Sequence, residues 1–380
     1  MDPLITNLAR EYVKKLQTEG AALDFVEFKM DPNQQSIGMH SEGVSGQVIY
    51  HRAEDKLCMS EMVFVKYYVP SGPQFHKYDL HSMFHNEIHF YTRVVPFLAT
   101  LRSIHHLLPQ FLDHLAEGPG VAIMFRHLGP RWTCNNYRSL LDYAHLRLMV
   151  RKLGEFHAYS FAARSRAEAQ FQQLSTFSPG RQQSVVDAVQ ADMKQTLAGC
   201  VQSLSRDKLY ADAVPRLQTL LVHRLADFML QSYTVSPEDP SYVLSHLSFN
   251  QSNVMFSYAN RRPVDMKIMD WQTISFTSMG VDLLGLLYMD TCQQTRAQYW
   301  DQLLDDYHDA LTTTFATNTV PSREQLCQEL RKGVGAVIFV MTYRATSALL
   351  KDGSKLKSQT IRNRELLTEM LKDMVDRGLL

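Results

Sequence analysis

The sequence predicts an α+β protein in two parts: a β-rich first third carrying one helix, then a larger, mostly helical remainder with one hairpin set into it. Three observations lead there. Two runs dense in β-branched and aromatic residues, SGQVIYHRA (45–53) and EMVFVKYYV (61–69), are separated by the polar turn AEDKLCMS. After about Gly129 the apolar spacing becomes helical. Between Ser241 and Thr273 that text is broken by VMFSY and PVDMKIM flanking the turn ANRR, the pattern of a hairpin. The boundary is expected near residue 127, giving parts 1–127 and 128–380.

The elements follow in order. MDPLITNLAREYVKKL reads as a helix: Asp2 can cap it, Pro3 suits the first turn, and Leu4, Ile5, Leu8 and Tyr12 form an apolar stripe. In LHSMFHNEIHFYTRVVPFL, residues Phe84, Ile88, Tyr91 and Val95 recur at helical spacing, and Pro96 is expected to end the run. GPGVAIMFRHLGP places a strand between Gly/Pro punctuation. Leu146, Met149, Leu153, Phe156 and Ser160 share one face of a long helix. Helical patterns also cover 182–204, 210–232 and 281 to the end, with no internal repeat and no low-complexity tract.

Bulk properties narrow the function. At 380 residues the chain exceeds one compact core, and 45% apolar with 21% charged residues is ordinary globular composition. Lys plus Arg equals Asp plus Glu at 39 each, which favours neither nucleic acid nor an anionic membrane as partner. No apolar stretch reaches a membrane span, and the start has neither the apolar run nor the cleavage site of a secretory signal. Cys58, Cys134, Cys200, Cys292 and Cys327 are scattered, without a Cys-x-x-Cys pair; they read as reduced, buried thiols of a cytoplasmic protein.

Several residues answer the needs of phosphoryl transfer, which holds nucleotide phosphates, neutralises charge with magnesium and aligns an acceptor hydroxyl. Lys66 sits within the apolar strand MVFVKYY, where a cation needs a partner, and Glu87 on the following helix can supply it. Taken alone, each would be an ordinary surface charge. Asn253 opens one hairpin strand and Asp270 follows the other; amide and carboxylate oxygens suit magnesium. His246, in the loop before Asn253, is either catalytic or a satisfied structural histidine, and the second reading has the better prior. Asp282 opens an apolar helix, where the dipole favours it, and could brace the loop. Gly43, Ser45 and Gly46 before a strand could let backbone amides approach phosphates, or form a plain hairpin turn. His81, His85 and His89 lack a zinc motif and read as a solvated stripe, and no GxSxG or GxxxxGK[ST] occurs.

Taken in order, MVFVKYY, FHNEIHFYTRVVPFL, LGEFHAYS, MDWQ and TSMGVDLLGLLY resemble the insect ecdysteroid-kinase-like family, within the choline/aminoglycoside-kinase-like group. The resemblance covers most of the chain. It implies a bilobal protein-kinase-like fold, a small antiparallel sheet with one helix followed by a mostly helical lobe. It implies ATP and Mg2+ as cofactors, Phe125 and His127 in MFRHL as nucleotide contacts, and a small hydroxylated acceptor such as a steroid. One departure bears on activity. Family members carry His-Gly-Asp, four residues, then Asn; this chain has His246-Leu247-Ser248, then Asn253. Ser248 stands where the base aspartate would be, and Leu247, replacing glycine, is expected to reshape the loop. Two readings follow: a kinase with impaired catalysis, or a pseudokinase that binds nucleotide or a small ligand without turnover.

Overall fold

The computed structural model describes residues 3–17, 22–37, 42–68, 79–116, 120–135, 140–174, 176–177, 182–234, 239, 241–315, 320–350 and 356–380. The expected cap at Asp2 lies outside them. The chain divides into two compact units, Met1–Thr133 with Lys267–Thr273, and Cys134–Met266 with Ile274–Leu380.

The first unit is built on five strands, β1 (Leu23–Ile37), β2 (Glu42–Arg52), β3 (Cys58–Tyr68), β4 (Phe111–Leu115) and β5 (Val121–Arg126). They lie in the order β1-β2-β3-β5-β4, and every pairing is antiparallel. The period-two alternation of β3 divides the sheet's faces. Val63 and Val65 join Val44, Val48, Ala122 and Met124 in a core closed by helix α1 (Pro3–Gln17), whose Ile5, Leu8 and Tyr12 are buried. Lys66 and Tyr68, one residue out of phase, meet helix α2 (Leu80–His89): Tyr68 lies 4.8 Å from the Phe84 ring.

Pro96 does not end the second helix. A π-helical turn, Phe90–Val94, joins α2 to α3 (Val95–Leu101), with Pro96 in the first turn of α3. Proline lacks the N–H that an α-helix interior needs and clashes with the preceding turn, and a wide turn beforehand accommodates both. The two-residue strand β6 (Trp132–Thr133) closes the main segment of this unit.

Gly43, Ser45 and Gly46 lie inside β2 rather than in a turn before it, opposite Lys66, Phe64 and Val63 of β3. Gly46 has a packing reason: a Cβ there would stand 2.5 Å from the Phe28 ring and 2.7 Å from the Lys29 carbonyl oxygen. Gly46→Ala is therefore expected to cost about 1–3 kcal/mol, read as a lowered urea midpoint with an unchanged m-value.

The second unit is mostly helical: α4 (Tyr143–Leu174), α5 (Gln182–Leu204), α6 (Val214–Gln218), α7 (Leu225–Gln231), α8 (Met279–Met289), α9 (Gln293–Thr314), α10 (Arg323–Lys332), α11 (Val334–Leu350) and α12 (Leu356–Asp376). The predicted stripe of α4 is buried at Leu146, Met149, Leu153, Phe156 and Ser160. Gly154 lets α4 approach α9, since a Cβ there would lie 2.4 Å from the Tyr307 carbonyl oxygen. Strands β7 (Tyr242–Ser245) and β10 (Ser275–Ser278) pair antiparallel. The expected hairpin is present as β8 (Val254–Ala259) and β9 (Arg262–Ile268), turning at Asn260 and Arg261, both with positive φ. From Lys267 the chain belongs to the first unit.

The cysteines depart from expectation. Cys58, Cys134 and Cys327 are exposed, Cys292 is half-buried, and Cys200 alone is buried. The exposed three stand at a strand end, in a coil and on a helix flank, where sulfur's preference for the interior does not decide the fold.

Candidate functional site

In the first unit the segment after β9 is anchored against α2. Trp271 stacks on Phe90 with ring centroids 4.1 Å apart, and its main-chain N–H donates to Glu87 Oε1 at 3.2 Å. Lys267 Nζ donates to the carbonyls of His105 and His106 at 3.1 and 2.8 Å. This anchoring brings Asp270 to the lysine strand. Lys66 Nζ lies 2.6 Å from Glu87 Oε2 and 2.5 Å from Asp270 Oδ1. Glu87 is 1% exposed as a side chain, whereas Asp270 remains 40% exposed.

The lysine is a cation held between two carboxylates. Burial pulls Lys66 toward neutrality, but Asp270 and Glu87 outweigh that and raise its pKa. Burial pushes Glu87 up, and Lys66 only partly opposes it. The cluster carries one more carboxylate than cation, and its exposed member is Asp270. Asp270 adopts φ +64, a left-handed conformation that aspartate tolerates better than most residues. The spacing of strand and helix had predicted the Lys66–Glu87 pair. Bonding of Asp270 to the same ammonium was not visible in sequence.

The other nucleotide candidates of this unit have structural neighbours. Ser45 is buried. Phe125 packs into an aromatic cluster, its ring 5.0 Å from Tyr91 and 6.2 Å from Phe111. His127 N–H donates to the Met62 carbonyl at 3.0 Å, and its Nδ1 accepts the Gly129 N–H at 3.0 Å. The rings of His81 and His85 are 4.1 Å apart, and His81 Nδ1 is 2.9 Å from the Tyr68 hydroxyl. Among the described residues no group of three His, Cys, Asp or Glu could hold a metal.

In the second unit the loop between β7 and β8 is shaped from below by α8. Ser278 caps α8 by accepting the Gly280 N–H at 3.1 Å. Gly280 and Gly333 permit backbone contact: a Cβ on Gly280 would lie 2.0 Å from the Glu329 carbonyl oxygen. One turn in, Asp282 is 2% exposed and accepts the main-chain N–H of His246 at 2.6 Å and of Leu247 at 2.7 Å. His157 on α4 completes the brace. Its Nε2 lies 3.4 Å from Asp282 Oδ2 and its Nδ1 2.7 Å from the Tyr307 hydroxyl. A neutral imidazole with its proton on Nε2 satisfies both, donating to the carboxylate and accepting from the phenol. Burial first, then Asp282 and Glu329, holds the Tyr307 pKa well above the usual range, so the phenol keeps its proton. Ser160, from the same LGEFHAYS stretch, accepts the Leu244 N–H at 2.9 Å.

Leu247 holds φ +62, in the left-handed region that glycine enters freely and leucine at a cost of about 1–2 kcal/mol. Asp282 accepts that residue's own N–H and the one before it, which holds it there. His246 is fully buried, and its Nδ1 accepts the Ser248 N–H at 3.3 Å. Asn253 Nδ2 donates to the Ser248 carbonyl at 2.8 Å and to Ser248 Oγ at 3.1 Å. Asn253 Oδ1 accepts from Ser252 Oγ at 3.4 Å. Asp290, which the sequence reading passed over, accepts the Gln251 N–H at 2.7 Å and its side-chain amide at 3.2 Å. A signal was available: an acidic residue closing the apolar run LLGLLYMD, where burial demands partners.

The antiparallel sheet with its paired lysine and glutamate, followed by a helical unit carrying loop and hairpin, defines a kinase-like α+β protein. A sequence profile of the ecdysteroid kinase-like family matches residues 44–318. The chain belongs to the ecdysteroid kinase-like family, a kinase-like phosphotransferase family. Among solved structures it is similar to a microcompartment-associated aminopropanol kinase, at 12% identity and TM-score 0.49, covering 95% of each chain. It is also similar to the macrolide 2'-phosphotransferase MphH from Brachybacterium faecium, at 12% identity and TM-score 0.43, covering 94% of this chain and 97% of that one. A third, the GDP and kanamycin complex of APH(2")-IIia, has 12% identity and TM-score 0.42, covering 96% of this chain and 99% of that one. None of the curated proteins compared with the chain matches it.

Proposed function

We propose that this chain binds a nucleoside triphosphate with magnesium and is impaired in transferring phosphate to a small hydroxylated acceptor, such as a steroid. The observation that carries the reading is Lys66, buried between Glu87 and the more exposed Asp270. A lysine fixed by a buried glutamate is a stationary cation for phosphate oxygens, and a triphosphate would exchange with Asp270 for its second bond. Magnesium, when bound, supplies charge neutralisation at the phosphates. Asp270, with an exposed carboxylate, and Asn253, with an amide oxygen, are suitable hard oxygen donors for it. Gly43, Ser45 and Gly46, with Phe125 and His127, are assigned to nucleotide contact on family resemblance.

Impairment rests on Ser248. A hydroxyl cannot take a proton at neutral pH, and general-base help is worth about 10²–10⁴-fold. The second reading, a pseudokinase that binds without turnover, draws on the same residue. A cytoplasmic location is proposed with either; among the described residues no helix is long and apolar enough to cross a membrane.

A thermal melt tests binding. Saturating ATP with magnesium is expected to raise Tm by about 2–4 °C. Asp270→Ala should abolish the magnesium-dependent part. An unchanged wild-type melt, with no heat in calorimetric titration, would overturn nucleotide binding.

A further inference from the structure

We propose that His81 and His85 form a two-histidine site for a borderline divalent metal ion, zinc or copper, on α2. The site lies wholly within the first unit and does not depend on nucleotide binding.

The two residues stand four apart on one helix, so their side chains share a face. Their rings are 4.1 Å apart and tilted by 39°. Two nitrogens on one tetrahedral zinc, each about 2.0–2.1 Å from it, stand about 3.3 Å apart, a spacing similar to that of the rings. His81 is exposed and His85 half-buried, so an ion can reach them from solvent.

The ring protons suit ligation. His85 Nδ1 lies 2.8 Å from the His81 carbonyl oxygen. A carbonyl only accepts, so Nδ1 carries the proton and Nε2 of the neutral ring keeps its lone pair. His81 Nδ1 lies 2.9 Å from the Tyr68 hydroxyl, which can accept as well as donate. An ion at His81 Nε2 selects the tautomer that donates from Nδ1 to Tyr68. Both rings then match a metal-bound imidazole, with one nitrogen on the metal and the other fixed by a hydrogen bond. Among the described residues neither Nε2 has a partner.

Burial, and after it the charge of Asp79, raises the Tyr68 pKa. A carboxylate therefore stands near the outer partner of His81, and opposes the field that a helix N-terminus presents to a cation. Among the described residues no third His, Cys, Asp or Glu completes the set, so water takes the remaining positions. Imidazole suits zinc and copper, whereas magnesium demands oxygen ligands and is not selected. Tyr68 belongs to β3 and the histidines to α2, the two elements that also carry Lys66 and Glu87. A bound ion would tie strand to helix a second time.

The full chain, stripped of metal by a chelator that is then removed, is titrated with Zn2+ by calorimetry, with Mg2+ as the control. One zinc per chain is expected, undisturbed by excess magnesium. His81→Ala and His85→Ala should each weaken binding by about 10-fold or more, and Tyr68→Phe, which keeps the ring, by about 10-fold. His89→Ala, one turn further along, should leave it unchanged. Electron paramagnetic resonance of the wild-type chain with one equivalent of Cu2+ should show two imidazole nitrogens, a reading that stands even if a variant fails to fold. Zinc binding undiminished in both histidine variants, a copper spectrum with fewer than two imidazoles, or no zinc uptake would overturn the inference.

Discussion

Replacing Ser248 with aspartate is expected to raise phosphoryl transfer to small-molecule alcohols by about 10²-fold or more. The loop around the substitution is already formed. Leu247 holds its left-handed backbone, Asp282 accepts both preceding amides, and Asn253 reaches back to residue 248. An aspartate at 248 would enter a site whose neighbours are amide donors, which favour the ionised carboxylate a base must be. The assay compares wild type, Ser248→Asp and Leu247→Gly/Ser248→Asp against a panel of steroid and amino-alcohol acceptors. The second substitution is expected to add less than the first, since the backbone angle that glycine would allow is already adopted. Wild-type transfer as fast as that of Ser248→Asp, and unchanged in Ser248→Ala, would place the base elsewhere. If all three fail although ATP binds, the acceptor site itself is lost and the pseudokinase reading gains.

Asp282→Ala is expected to be the most destabilising single change in the second unit, by about 3–5 kcal/mol. It strands one buried and one half-buried main-chain N–H group and removes one of the two partners of fully buried His157. The small cavity beside the carboxylate, about 20 Å3, is lined largely by apolar side chains, including Leu247, Phe249, Val281 and Val337, with Tyr233 as a polar neighbour. One water would fit that volume, but it would find few partners. Urea unfolding monitored by tryptophan fluorescence gives the result. A loss below about 1 kcal/mol would mean that the loop amides find other acceptors, a weaker brace than the geometry indicates. Asp282→Asn distinguishes charge from shape: it keeps one acceptor oxygen and should lose less.

What could be read from the sequence was local. Lys66 in its strand and Glu87 on the next helix were legible because a cation amid Val63, Phe64 and Val65 demands a partner and the helix offers one at a suitable face. The hairpin and the long buried stripe of α4 followed from periodicity. What stayed hidden is carried by tertiary contacts. Strand β1 holds Pro32, and β4 lies in the histidine-rich SIHHLLPQFLDHL, so neither shows the clean alternation of β3. The π-turn before Pro96 depends on packing around Phe90 and Trp271 that no local signal announces. Asp290 and the His157–Tyr307 contact join residues far apart along the chain. Gly43, Ser45 and Gly46 misled in placement because small polar residues suggest a turn, while Gly46 is there to admit Phe28.

The left-handed Leu247 has a consequence for mutational history. The loop's shape is braced from α8, by a carboxylate thirty-five positions from Leu247, rather than by the two residues at which this loop departs from the family pattern. Leu247→Gly trades relief of strain against lost packing and chain entropy, which are of similar size at about 1 kcal/mol each. Ser248→Asp keeps an acceptor oxygen for the amides of Asn250 and Asn253. Either substitution is therefore expected to be tolerated before the other without unfolding the chain. Loss of Asp282 would close that route, because the conformation to which a regained aspartate must return would no longer exist.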